Sequence, residues 1–148
     1  EARPLFDRAI AIGEKALGQE HPHVGSWVNS LATLLWSQGK DDEARQLFER
    51  AIAIGEKNLG PEHPGVASRL DSLASLLQSQ GKYDKAKPLY ERAIAIGEKA
   101  LGPEHPDLAR WLSSLASLLQ SQGKYDEARE LFDRAIAIDE TALGPEHP

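Results

Sequence analysis

The residues with the most chemistry to offer are four histidines. His21, His63, His105 and His147 stand 42 residues apart, each behind a glutamate in GQEHP or GPEHP. A Glu-His pair repeated in this way has the donor types of a metal site or of an acid-base pair. Spacing argues against the metal. Zn–N bonds are about 2.1 Å, so ligands must converge, whereas equivalent atoms in successive helical units lie at least a helix diameter, roughly 10 Å, apart. A structural role at a helix start is the expectation. The carboxylates of Glu49, Glu56, Glu91 and Glu98 are interspersed with Arg50, Lys57, Arg92 and Lys99 and read as a solvated helix face. No G-x-S-x-G, H-E-x-x-H, phosphate loop or G-x-G-x-x-G occurs. No catalytic residue, metal or other cofactor is expected.

The elements that carry these residues repeat with the same period. Residues 43–84 laid over 85–126 agree at roughly three-quarters of positions, the mark of an array. A single array over 1–148 is predicted, with units 1–42, 43–84 and 85–126 and a half unit 127–148. Each unit reads as two helices. In helix A, Leu108, Leu112, Leu115, Ala116 and Leu119 recur at spacings of three and four, with Pro106 at the first helical position and Gly123 just past the end. After about three residues Asp126 is expected to cap helix B, whose apolar arc is Ala128, Leu131, Phe132, Ala135, Ile136, Ile138 and Leu143 and which Gly144 ends. So short a link forces an antiparallel hairpin, and neighbouring hairpins must complete one another's burial. The pentapeptide is then punctuation: Gly60 stops helix B, Pro61 bars its continuation and Pro64 opens the next helix A.

Gly13, Gly55 and Gly97 fall inside helix B, where glycine costs about 1 kcal/mol against alanine. They lie on the apolar arc, so close approach of a neighbouring helix is expected there. The last unit has Asp139 instead, either because that helix is left uncovered or by drift.

Composition sets the class. The 148 residues are 41% hydrophobic and 27% charged, with a formal net charge of −6, and no apolar run approaches the roughly 18–20 residues of a membrane span. Scattered rather than clustered Lys and Arg speak against nucleic acid, and cysteine is absent. A chain starting at Glu1 with no signal pattern is expected to be a fragment, cytoplasmic and without a membrane partner.

Leu112, Leu115, Ala116, Leu119, Gly123, Tyr125, Ala128, Phe132 and Ala135 resemble the packing positions of the tetratricopeptide repeat. The set recurs as Leu70, Leu73, Ala74, Leu77, Gly81, Tyr83, Ala86, Tyr90 and Ala93. The usual unit is 34 residues; here the extra eight lengthen helix B and the following loop. This longer form looks like the repeats of kinesin light chains and of many bacterial multi-repeat proteins. The resemblance implies an all-α, right-handed solenoid that binds a protein or peptide partner on the concave surface lined by helix A.

Carried over position by position, the implied groove is Ser26, Asn29, Thr33 and Trp36, then Ser68, Asp71, Ser75 and Gln78, then Arg110, Ser113, Ser117 and Gln120. Asn29, Gln78 and Gln120 are expected to bond an extended peptide backbone. Trp36, where the other units have Gln78 and Gln120, is either an aromatic anchor or a ring lying over its own unit. Trp27 and Trp111 are expected to pack on an adjacent helix, and Asp71 and Arg110 to pair. With one cation and one anion in the stripe, the acidic cargo recognition of kinesin light chains does not transfer. The resulting reading is a non-catalytic scaffold. Its alternatives are a self-associating array stacked through its exposed ends and the sensor arm of a larger signalling ATPase.

Overall fold

In a computed structural model of the protein, residues 2–143 are described and form seven α-helices with no strand among them. They are α1 (Ala2–Leu17), α2 (Pro22–Ser37), α3 (Asp41–Leu59), α4 (Pro64–Ser79), α5 (Tyr83–Ala100), α6 (Pro106–Ser121) and α7 (Tyr125–Leu143). Helices α2, α4 and α6 are the A helices of the sequence; α1, α3, α5 and α7 are the B helices. Gly144, His147 and the side chain of Leu143 lie outside what is described.

Each A helix begins the same way. A proline fills the first turn, and the preceding histidine accepts at Nδ1 from the backbone N–H two residues on: His21 from His23 at 3.1 Å, His63 from Gly65 at 2.9 Å and His105 from Asp107 at 3.1 Å. The imidazole thus satisfies a donor that a helix N-terminus leaves free. The expected structural role of these three histidines is that of an N-cap.

Asp126 does not cap helix B. The helix starts one residue earlier, at Tyr125, because the Lys124 carbonyl already accepts from Ala128 N–H at 3.0 Å; Asp126 sits within the first turn, where its charge suits the helix dipole. In α3 and α5 the capping residues, Lys40 and Lys82, make no side-chain cap bond. What turns the chain is Gly81, at φ 76°, from which Lys82 N–H closes back on Leu77 O at 2.9 Å.

Every A helix packs on its own B helix and on the preceding one: α2 on α3 and α1, α4 on α5 and α3, α6 on α7 and α5. One apolar core runs through the stack from Ile10 to Ile138, and among the described residues no polar or charged one is buried in it. The arc of α7 is only partly covered. Ala128, Ala135 and Ile138 are buried and Leu131 and Phe132 half-buried, but Ile136 is 54% exposed where its equivalents Ile52 and Ile94 are 7% and 8%. At the other end Ile12 is 57% exposed against 4% for Ile54. Each helix B therefore has two apolar edges, one for its own helix A and one for the next.

Candidate binding face

Curvature decides which side of the stack can hold a partner. Among the described residues, α2 approaches α4 and α4 approaches α6, whereas no B helix comes that close to another. The A helices therefore line the inner side of the bend.

The stripe read from the sequence lies on these helices and differs from unit to unit. In α2, Ser26 Oγ donates to Pro22 O at 3.3 Å and Thr33 Oγ1 to Asn29 O at 3.1 Å; in α4, Ser68 Oγ donates to Pro64 O at 3.5 Å. These hydroxyls use their protons on their own helix and leave lone pairs free. Asn29 Oδ1 and Asp71 Oδ1, one unit apart at equivalent positions, are buried acceptors without a hydrogen-bond partner. Burial raises the Asp71 carboxyl above the usual carboxylate range, opposed by the nearby Ser114 hydroxyl, whose proton goes to Arg110 O at 3.2 Å, and by the charge of Arg110. The expected Asp71–Arg110 ion pair does not form. Arg110 is exposed, with its guanidinium carbon 5.9 Å from the centroid of the neighbouring Trp111 ring. In α6, Ser113 is half-buried, and Ser117 and Gln120 are exposed.

Trp36 stands edge-on to Phe48, with centroids 6.4 Å apart and planes at 83°, and is half-buried against its own unit. The second unit replaces this contact by a polar one: Tyr90 donates to Gln78 Oε1 at 2.8 Å and takes a proton from Ser75, 3.0 Å away. Burial raises the Tyr90 hydroxyl pKa to about 12, against the Ser75 bond, with the Asp71 charge adding to the rise. In the third unit Gln120 is matched by Phe132, which has no hydroxyl. Sequence reading missed this coupling, although its signal was present as a joint change of residues 36 and 48 to residues 78 and 90.

The glycines in helix B behave as expected. A Cβ on Gly13 would stand 2.4 Å from Trp27, and one on Gly97 2.6 Å from Trp111, so both indoles fill the space that glycine leaves. In the middle unit Arg69 takes the tryptophan's place over Gly55 and donates to Ala51 O at 2.5 Å. Desolvation lowers its pKa.

The outer side is occupied by its own ion pairs. Arg50 meets Glu14 at 3.0 Å, Arg92 meets Glu56 at 3.4 Å and Arg134 meets Glu98 at 3.0 Å; Lys57 pairs with Glu20 and Lys99 with Glu62. A cavity of 820 Å³ between Leu59–Pro64 and α5 holds two cations, Arg92 and Lys99, that are both engaged in these pairs. The carboxylates read as a solvated face are in part a ladder joining successive units.

A family model for the tetratricopeptide repeat matches residues 1–57, 24–99 and 66–141. The chain belongs to the tetratricopeptide repeat family. Among solved structures, BtubC (BKLC) from P. vanneervenii is 26% identical, with a TM-score of 0.89 over 99% of this chain and 58% of its own. A Podosopora anserina protein assigned as a kinesin light chain, with nearly identical TPR-like repeats, is 33% identical at a TM-score of 0.78, over 97% of this chain and 68% of its own. MamA, 22% identical with a TM-score of 0.67, shares the fold. This chain thus spans little more than half of the first of these relatives. No curated protein sequence matches it. Tetratricopeptide repeats generally mediate protein–protein interactions, and among the described residues of this array no helix is long and apolar enough to cross a membrane.

Proposed function

We propose that the array is a non-catalytic scaffold that holds an extended segment of a protein partner against the inner side of α2, α4 and α6. One observation carries the reading: the two unpartnered acceptors, Asn29 Oδ1 and Asp71 Oδ1, repeat in register along that side. Buried acceptors left unpaired cost about 1–3 kcal/mol each; a turn of either side chain toward the groove, met by a donor of the partner, relieves that cost. The serine and threonine hydroxyls add lone pairs to the same strip, so the partner suited to it brings N–H donors, either from its backbone or from basic side chains. Gln120 and Arg110, both exposed, supply donors at the far end.

Trp36, anchored on Phe48, serves as a wall at the near end rather than as a free anchor. The stripe's balance of one cation and one anion gives no basis for an acidic cargo. A random peptide library selected on the parent and on the variant Trp36→Ala, Asp71→Ala, Arg110→Ala tests the reading. Peptides enriched by the parent, rich in donors and lost with the variant, are the expected outcome. No enrichment, or enrichment indifferent to the three changes, would remove the site from this side.

A further inference from the structure

A second surface, distinct from the concave side, is the uncovered edge of α7. On α3 and α5 the equivalent edge is closed by the following A helix, which lays residue 69 or 111 over Gly55 or Gly97, fourteen residues earlier in the chain. Helix α7 has Asp139 at the glycine position, and Ile136 beside it is left 54% exposed.

Asp139 changes what can close this edge. A tryptophan seated as Trp111 is would meet the Asp139 Cβ at about the 2.6 Å measured from Gly97, a distance that side chains do not tolerate without moving, and that indole is fully buried with its Nε1 unpartnered. Arginine fits better. In the Arg69 arrangement a Cβ meets the mobile end of the guanidinium at 3.0 Å and a Val66 methyl at 3.2 Å, both looser than the indole at 2.6 Å, and the guanidinium already donates to a carbonyl one turn before the glycine. On α7 the same guanidinium would have the Ala135 carbonyl on one side and the Asp139 carboxylate on the other, a charge-assisted pair.

We infer that the exposed edge of α7 is a docking surface for an amphipathic helix of the A type that carries arginine, not tryptophan, over Asp139. A second copy of this chain does not supply that helix. Its three A helices are each already held between two B helices, and its own free edge is on α1, another B helix.

The test extends the chain after Pro148 with either residues 65–82 or residues 107–124 of its own sequence. The two extensions place Arg69 or Trp111 in the position that covers Asp139. A third, residues 65–82 with Arg69→Trp, isolates the one change. Urea unfolding is compared for each on the parent and on Asp139→Gly. The expected result is a higher midpoint for the arginine extension than for the two tryptophan extensions on the parent and a reversed order on Asp139→Gly. Equal or greater stabilisation by tryptophan on the parent would overturn the inference, as would an arginine advantage that survives Asp139→Gly or no stabilisation by any extension. Sedimentation of the unextended chain runs alongside. A dimer abolished by Asp139→Arg would give the edge to a second copy instead and also overturn it.

Discussion

At the scale of single residues, the same glycine position has unequal consequences in adjacent units. Gly97→Ala gains helix propensity of up to about 1 kcal/mol but drives a Cβ to 2.6 Å from a fully buried, rigid indole. Overpacking of that kind costs about 1–3 kcal/mol, so a net loss is expected in urea unfolding. Gly55→Ala meets the end of Arg69 at 3.0 Å, which can swing away, and a methyl of the fully buried Val66 at 3.2 Å, which has to give only slightly, so a smaller loss than at Gly97 is expected. Equal losses at both sites would refute the account. Asp71 gives a prediction with a pH signature. Its carboxyl is raised by burial, so the folded state holds a proton more firmly than the unfolded one, and stability falls as pH rises from the ordinary carboxylate value through the folded one. The resulting penalty is fully present above the folded value and absent in acid. Asp71→Asn, which installs the residue found at position 29, should therefore raise the midpoint at pH 7 and lose that advantage near pH 3. A pH-independent difference would trace the effect to something other than the charge.

At the scale of elements, the histidine caps are the testable feature. Removing a side-chain cap typically costs about 0.5–2 kcal/mol. His63→Ala should lower the unfolding free energy by an amount in that range and His63→Asn should restore it, since asparagine also offers an acceptor at the Gly65 N–H; an alanine variant as stable as the parent would show the 2.9 Å bond to be idle. The helices themselves were legible in the sequence because Leu108, Leu112, Leu115, Ala116 and Leu119 obey one period and all end up buried. The glycines were legible for a related reason: an expensive residue on an apolar arc needs a neighbour that requires the space. Asp126 was misread because it looks like a cap, yet hydrogen bonding had already begun at the Lys124 carbonyl. The Asp71–Arg110 pair was misread because helical levels alone do not fix a side chain that can lie along Trp111 instead. The exchange of Trp36 with Phe48 for Gln78 with Tyr90 links two helices across a turn, and no periodicity within one helix reports it.

At the scale of the whole molecule, a solenoid is held together only by what each unit does to the next. Here that is the packing of each helix A on the preceding helix B, together with the ladder on the convex side. Its three Arg–Glu rungs are half-exposed, with side chains between 27% and 43% accessible, so each is worth no more than about 1 kcal/mol. Their position makes them informative, because the Glu56–Arg92 rung spans the junction between α3 and α5 without touching either hairpin's interior. Arg92→Glu should therefore lower the unfolding midpoint at low salt by turning an attraction into a repulsion, while leaving helix content unchanged. Adding Glu56→Arg to that variant rebuilds the rung in reverse and should recover most of the loss. In about 1 M salt, where charges are screened beyond roughly 3 Å, the single and double variants should converge. If the single variant's loss persists undiminished in high salt and the exchange does not rescue it, Arg92 acts through its bond to the Pro61 carbonyl and the packing of its stem. Coupling between units would then rest on the apolar junction alone.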